Sequence, residues 1–169
     1  MIRATLPDAQ FLVARAPNLA NDLFAPLERA SLPRTVIVEG DTDTVLASTD
    51  VALTASGTAT VQAALHDTPM VIVYRVSPLT YALGRRLLTV DTFGMVNLIA
   101  GSKIVPELIQ HDFTPQAVAR EALSMLTDAS RATKIREGLR DVRQKLGTAG
   151  ASRRAAAAIL KVATRRSFS

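Results

Sequence analysis

The sequence predicts an α/β fold with a doubly wound parallel sheet. Four short apolar runs rich in β-branched residues recur in the first half: "FLVA" (11–14), "TVIVEG" (35–40), "DVALTA" (50–55) and "PMVIVY" (69–74). They read as continuous apolar runs, which is typical of strands buried on both faces. Helical patterns separate them, and strand–helix–strand alternation on this spacing indicates a parallel sheet with right-handed crossovers.

The segments between these runs are predicted to be helical. "NLANDLFAPLERAS" carries Leu19, Leu23 and Leu27 on one face, and Pro26 is expected to bend or split that helix. "DTDTVLAST" and "GTATVQAALHD" follow the second and third runs. The first ten residues predict the last turn of a helix and a Pro-Asp turn. Because so short a helix does not form alone, we expect Met1 to lie inside a longer element that follows a further strand.

Beyond Tyr74 the pattern becomes mainly helical. "SPLTYALGRRLLT" is predicted to be a helix with Ser77 as its N-cap, whereas "MVNLIAGSKIVPELIQ" has no clear assignment. Three further helices are predicted over 115–128, 130–146 and 150–166, with Thr114 capping the first and Gly147 ending the second. The apolar face predicted for the second of these consists of Ile135, Leu139, Val142 and Leu146.

Composition limits the class of protein. The chain has 169 residues, 48% of them apolar and 21% charged, which suits one soluble globular domain. It has no cysteine, so disulfides and thiolate metal sites are excluded. Neither an apolar run of membrane-spanning length nor a secretory signal is visible, so a cytosolic location is the default expectation.

The charge is unevenly distributed along the chain. Residues 1–74 carry four Lys or Arg and eight Asp or Glu, whereas residues 75–169 carry 16 and seven. This asymmetry indicates that the C-terminal half faces an anion: nucleic acid, a phosphorylated substrate or anionic lipid. A solvated charged helix face explains it equally well at this point.

The stretch "TASGTATVQAAL" holds the main candidate site. Ser56 ends the third apolar run, and Gly57 and Thr58 open the next helix, where unpaired N–H groups and the helix dipole favour an anion. Gly57 lets a ligand approach the backbone, and the hydroxyls of Ser56 and Thr58 are expected to add donors for a phosphate or diphosphate. The alternative is a simple helix cap, and no Gly-Lys-Thr of a Walker loop follows.

Other polar residues give weaker signals. Gln62 lies one turn beyond Thr58, where its amide is placed to bond a sugar hydroxyl or simply to face solvent. His66 and His111 are expected at the surface or at a helix end. The sequence shows no paired carboxylates, no metal-spaced histidines and no Ser-His-Asp set.

Three blocks in this order resemble the C-terminal half of the lipid-A-disaccharide synthase family. They are "ASGTATVQAAL", "PMVIVYRVSPLTYALGRRLL" and "VNLIAGSKIVPELIQHDFTPQAVA". The resemblance runs from about residue 41 to the C-terminus and is looser over residues 1–40. It implies a Rossmann-like domain of the GT-B architecture.

The resemblance also implies an activity. Members are inverting glycosyltransferases that join UDP-2,3-diacylglucosamine to 2,3-diacylglucosamine 1-phosphate through a β-1,6 linkage and release UDP. They need no metal or other cofactor, work at the inner face of the cytoplasmic membrane, and form homodimers that exchange C-terminal elements. These properties would make the UDP-sugar, the acylated glucosamine phosphate and an anionic membrane surface the partners of the enzyme.

Site residues follow from the matching blocks. Ser56, Gly57 and Thr58 would hold the donor diphosphate. Gln62 stands where the family usually has a glutamate that takes the ribose hydroxyls, so the contact would lose its charge but keep one acceptor oxygen. Arg75, Asn97 and Gln110 fall in the other blocks and are expected to line the cleft or the exchanged interface.

Residues 1–169 would then be a partial C-terminal UDP-sugar-binding domain with a C-terminal helical segment. The N-terminal acceptor domain, which should supply the catalytic base, has no counterpart here, nor has the Pro-Gly-Ser-Arg loop after the first strand of the C-terminal domain. That strand is central in the order 3-2-1-4-5-6. Without it, the strands near Phe11 and Thr35 are expected to separate from those near Asp50 and Pro69, and the chain alone is expected to be inactive.

Six basic residues are predicted to lie on one helix opposite its apolar face and to meet an anionic bilayer: Arg131, Lys134, Arg136, Arg140, Arg143 and Lys145. Two other functions stay open: another GT-B enzyme acting on UDP-N-acetyl sugars, and a non-catalytic basic α/β module. For the second, nucleic-acid binding is not expected because the chain has only five Phe and two Tyr to stack on bases. An inert product of a truncated reading frame is the remaining alternative.

Overall fold

Parallel strands and flanking helices form the fold, as the sequence predicts. The computed structural model describes residues 1–29, 34–77, 92–147 and 150–166. Its strands are β1 (Phe11–Arg15), β2 (Thr35–Glu39), β3 (Ala52–Ala55), β4 (Met70–Tyr74) and β5 (Glu107–Ile109). The first four coincide with the four apolar runs, and β5 lies in the segment that had no clear assignment.

The helices follow the predicted order. They are α1 (Ile2–Thr5), α2 (Ala25–Arg29), α3 (Thr42–Ala47), α4 (Thr58–Leu65), α5 (Met95–Ala100), α6 (Pro115–Thr127), α7 (Ala129–Leu146) and α8 (Ala151–Arg166). A short 3₁₀ turn, Asn21–Leu23, precedes α2, so the helix predicted around Pro26 is indeed split. Apart from Ser77, the helix predicted over residues 77–89 lies outside the described residues.

The strands form two sheets in the described residues. β1 pairs in parallel with β2, with Phe11 opposite Thr35, and the other sheet has the order β3-β4-β5, also parallel. The predicted separation of the first two strands from the next two is therefore confirmed. In the three-stranded sheet, Ile72 of the middle strand is opposite both Thr54 and Glu107.

The core lies around the three-stranded sheet. Met70, Val71 and Ile72 of β4 are fully buried, and Leu139 and Val142 of α7 belong to the same core cluster. Leu146 was expected on the same face but is 40% exposed, because α7 runs beyond the core in its last turn.

Burial on both strand faces was predicted for all four runs, and this is wrong for three of them. Leu12 in β1 is 40% exposed, and Val36 in β2 and Leu53 in β3 are each 53% exposed. α3 packs against β1 and β2, and α4 packs against β3, but no further described element covers the exposed side chains of these strands. Only the central strand, β4, begins with consecutive buried residues.

Side-chain caps fix the helix starts near the core. The Thr114 hydroxyl accepts the N–H of Ala117 at 3.2 Å, which confirms the predicted cap of α6. The Asp128 carboxylate accepts the N–H of Arg131 at 3.1 Å and starts α7, which ends at Gly147 as predicted. Within the described ranges, no helix is long and apolar enough to cross a membrane.

Candidate functional site

The candidate site lies where β3 passes into α4. The strand ends at Ala55 and the helix begins at Thr58, with Gly57 as its N-cap at φ 141° and ψ −158°. This backbone region is almost confined to glycine. A Cβ built on Gly57 would meet no atom of the described residues within 4 Å, so in this part of the chain that side of the backbone is open to a ligand.

The first turn of α4 contains both engaged and unengaged hydrogen-bond donors. The N–H of Thr60 and its hydroxyl both donate to the carbonyl of Gly57, at 3.1 and 2.7 Å. The N–H groups of Thr58 and Ala59 have no acceptor among the described residues, which is the normal state of a helix start without a cap. Together with the helix dipole they favour an anion at this position.

The Ser56 hydroxyl is already committed to another segment. It donates a 2.8 Å hydrogen bond to the carbonyl of Phe93, 37 residues later. A hydroxyl has one proton to donate, so its oxygen can only accept a further bond. The expectation that this hydroxyl gives a donor to a phosphate is therefore wrong for this conformation. Ser56 instead ties the end of β3 to the residues that precede α5.

Thr58 and Gln62 share one face of α4, four residues apart. Thr58 is exposed, and Gln62 is partly buried with no hydrogen-bond partner for its amide in the described part of the chain. Both side chains are thus available on the helix whose first turn offers the free N–H groups. The structure brings together Ser56, Gly57, Thr58 and Gln62 as the sequence predicted.

A buried carboxylate holds the backbone segment that the Ser56 hydroxyl contacts. Glu107 in β5 is 7% exposed and accepts the N–H of Phe93 at 2.8 Å and that of Gly94 at 3.0 Å. Sequence reasoning missed these three residues. The available signal was a single charged residue inside the apolar stretch "IVPELI". A carboxylate in such a stretch is expected to be buried, and a buried carboxylate needs hydrogen-bond donors around it.

Asn97 lies in the core and is 1% exposed. Its amide nitrogen donates to Val105 O at 2.9 Å and to Glu107 Oε1 at 2.7 Å, and its oxygen accepts the N–H groups of Ile104 and Val105. All its hydrogen-bonding capacity is used inside the chain. The expectation that Asn97 lines a cleft or an interface is corrected: it fixes the α5–β5 connection from within.

Arg75 and Gln110 follow β4 and β5 at the same sheet edge as Ser56, because the carboxyl ends of parallel strands coincide. The Arg75 guanidinium donates to Phe113 O at 2.9 Å and lies 5.2 Å from the centre of the Phe113 ring. Gln110 exchanges two hydrogen bonds with the backbone of Val76, at 3.0 and 3.1 Å. Both side chains therefore hold the chain where it leaves β4.

The basic residues of α7 are mostly engaged with the protein itself. Arg140 and Arg143 lie 3.5 and 3.3 Å from the Asp67 carboxylate, which follows α4. Lys145 donates to Ala100 O at 2.8 Å, and Arg131 pairs with Glu121. The prediction that all six cations lie opposite the apolar face is thus wrong for these four, which turn toward neighbouring helices.

The two histidines occupy the positions expected of them. His66 caps the C-terminus of α4 and lies 3.0 Å from the Asp43 carboxylate, and His111 is exposed in the turn after β5. In the described part of the chain, no three His, Asp or Glu side chains form a group that could hold a metal ion.

Comparisons with known proteins match nearly the whole chain. A family model described as lipid-A-disaccharide synthetase matches residues 1–162. The lipid-A-disaccharide synthase of Geobacter sulfurreducens is 42% identical over 161 residues, which are 95% of this chain and 42% of that protein. The synthase of Geobacter metallireducens is 40% identical over 162 residues, 96% of this chain and 42% of that protein.

A relative from another genus gives the same picture. The lipid-A-disaccharide synthase of Anaeromyxobacter dehalogenans is 42% identical over 163 residues, which are 95% of this chain and 42% of that protein. The chain thus spans about two fifths of the length of the curated relatives it matches.

Proposed function

Because the chain belongs to the lipid-A-disaccharide synthase family, we propose that it forms the UDP-sugar half-site of a glycosyltransferase of lipid A biosynthesis. In the reaction, the 6-hydroxyl of 2,3-diacylglucosamine 1-phosphate attacks the anomeric carbon of UDP-2,3-diacylglucosamine. A β-1,6 bond forms with inversion, the bond to the diphosphate breaks, and UDP leaves. We propose that the acceptor site and the catalytic base, which takes the proton of the attacking hydroxyl, lie outside the described residues, and that these residues bind the donor.

The observation that carries this proposal is the open first turn of α4. Gly57 exposes its backbone, and the N–H groups of Thr58 and Ala59 have no acceptor in the described residues. A diphosphate placed there meets two N–H donors, the positive end of a helix dipole and the Thr58 hydroxyl. The Ser56 hydroxyl anchors the residue that precedes Gly57 to the Phe93 carbonyl, and its oxygen can still accept a hydrogen bond.

Gln62 is proposed to contact the ribose. It lies one helical turn from Thr58, so a nucleotide whose diphosphate sits over Gly57 brings its ribose toward the Gln62 amide. An amide donates as well as accepts, so it suits a hydroxyl pair without carrying charge. Arg75 and Gln110, at the same sheet edge, are proposed to shape the rest of the donor cleft.

Calorimetric titrations with UDP, UMP and uridine test the assignment of the diphosphate. We expect UDP to bind at least about tenfold more tightly than UMP, because only UDP fills the anion position with both phosphates. Uridine is the matched control for the base and ribose alone. Equal affinities for the three compounds would place the nucleotide away from α4 and contradict the proposal.

We also propose that the C-terminal helices meet the inner face of the cytoplasmic membrane. In α8, the exposed apolar side chains of Ile159, Leu160 and Val162 accompany Arg153 and Lys161. An exposed helix with apolar and basic residues is typical of binding at an anionic bilayer surface. Flotation with anionic and neutral vesicles tests this, and equal binding to both contradicts it.

A homodimer that exchanges C-terminal elements is proposed for the full-length enzyme. The same exposed side chains of α8 support this, because a partner subunit would remove them from water. Light scattering, which measures the oligomeric state in the absence of vesicles, tests dimer formation separately from membrane binding. A stable dimer that weakens in Leu160→Glu supports exchange, whereas a monomer at all concentrations contradicts it for this chain.

A further inference from the structure

Glu107 is a buried carboxylate that the proposed chemistry does not use. It is 7% exposed and accepts three hydrogen bonds, from the N–H groups of Phe93 and Gly94 and from the Asn97 amide. No ion pair to Glu107 is found in the described ranges. Among the described residues, its carboxylate is met by neutral donors at the start of α5, and this fixes the position of those donors.

One peptide group links Glu107 to the candidate site. The peptide unit between Phe93 and Gly94 donates through the Gly94 N–H to Glu107 Oε1 at 3.0 Å. Through the Phe93 carbonyl, the same unit accepts the Ser56 hydroxyl at 2.8 Å. Because a peptide unit is planar and rigid, its orientation sets both bonds together. Each bond also polarises the group that makes the other.

The peptide unit has no room to move toward the sheet. A Cβ on Gly94 would collide with Cδ1 of Ile72 and lie 3.0 Å from Glu107 Oε1. Ile72 and Glu107 are register partners on β4 and β5, so the peptide unit rests directly over that row of the sheet. The Phe93 carbonyl that accepts the Ser56 hydroxyl therefore has a fixed position over the core.

We propose that Glu107 is a positioning residue for the donor site. It fixes the 93–94 peptide unit, which holds Ser56 and thereby sets the backbone of Gly57 and the first turn of α4 for the diphosphate. This inference rests on the proposed function, since it assumes that a UDP-sugar binds at Gly57. Glu107 does not touch the ligand.

A double-mutant cycle on UDP affinity tests the link. Glu107→Gln puts an amide NH₂ against one of the N–H donors, and Ser56→Ala removes the hydroxyl at the other end. We expect each variant to lose about tenfold in UDP affinity by calorimetry, and the double variant to lose little more, because both break one chain of contacts. Glu137→Gln, an exposed change of the same type on α7, is the control and should bind UDP normally.

A purely structural role gives a different result. If Glu107 has only a structural role, Glu107→Gln has a lower melting temperature but unchanged UDP affinity, or the losses of UDP affinity in Glu107→Gln and Ser56→Ala are additive. Either outcome overturns the proposal. If Glu107→Gln does not fold, Glu107→Asp, which keeps the charge but retracts it by one methylene, takes its place in the cycle.

The wild-type chain provides an independent readout. UDP is expected to slow the hydrogen exchange of the Gly94 amide, because binding at Gly57 tightens the connected peptide unit. Unchanged Gly94 exchange in the UDP-bound chain overturns the positioning role alone. A wild-type chain that binds no UDP overturns the proposed function, and the positioning role with it.

Discussion

The side-chain amide of Asn97 donates a 2.7 Å hydrogen bond to the carboxylate of Glu107, and both groups are more than nine-tenths buried. The amide orientation is set by four bonds, since its oxygen faces the N–H groups of Ile104 and Val105. Only an amide fits, because one side of the group must donate and the other must accept. This pair joins α5 to β5 beneath the candidate site.

Asn97→Asp should be strongly destabilising near neutral pH. The change keeps the shape but places a second carboxylate against Glu107, and an uncompensated buried charge costs about 3–5 kcal/mol. A proton on one of two adjacent carboxyl groups relieves their repulsion, so lowering the pH favours the folded variant over its unfolded chain. The stability deficit should therefore be full at pH 7.5 and smaller at pH 5.

Thermal melts of wild type and Asn97→Asp at both pH values test this prediction. Asn21→Asp, an exposed change of the same type, should lose little stability at either pH. A deficit for Asn97→Asp that stays constant, or grows, as the pH falls would show that the two carboxyl groups do not meet.

Gly57→Val should weaken UDP binding by at least about tenfold. The φ of 141° costs a non-glycine residue about 1–3 kcal/mol, and the branched side chain would project into the open side where the diphosphate is proposed to bind. Calorimetry gives the affinity. Gly147→Val, at φ 80° at the end of α7 with no described atom within 4 Å of an added Cβ, controls for strain alone. Unchanged UDP affinity in Gly57→Val would remove the anion site from Gly57.

Gln110→Glu should loosen the chain just beyond β4. The Gln110 amide donates to Val76 O and accepts the Val76 N–H, so a carboxylate keeps one bond and sets two oxygens against each other. We expect a loss of about 1–3 kcal/mol and faster hydrogen exchange of the Val76 amide. Gln144→Glu, exposed on α7, is the control. Val76 exchange as slow as in wild type would mean that the clamp does not hold this segment.

The sequence predicted the features that depend on local rules. Apolar runs located β1 to β4, the Thr114 hydroxyl marked the start of α6, and Gly147 marked the end of α7. The Ser-Gly-Thr stretch was placed correctly between β3 and α4, because a strand end, a glycine and a helix pattern follow one another along the chain.

Features that depend on distant partners were missed. β5 has only three residues, and Glu107 within it is accommodated because the backbone of Phe93 and Gly94 surrounds its carboxylate. The Ser56 hydroxyl was expected to serve a ligand, but its acceptor lies 37 residues away. Burial on both faces was predicted from composition, whereas Leu53 is exposed because no described element covers its face of β3.

The direct test of the central claim is calorimetric titration of the 169-residue chain with UDP, with a thermal melt of the same sample followed by circular dichroism. The account predicts saturable binding of one UDP per chain and a cooperative melt that shifts to higher temperature when UDP is present. A cooperative melt without any UDP binding would show that the fold is formed but that the first turn of α4 is not a donor site.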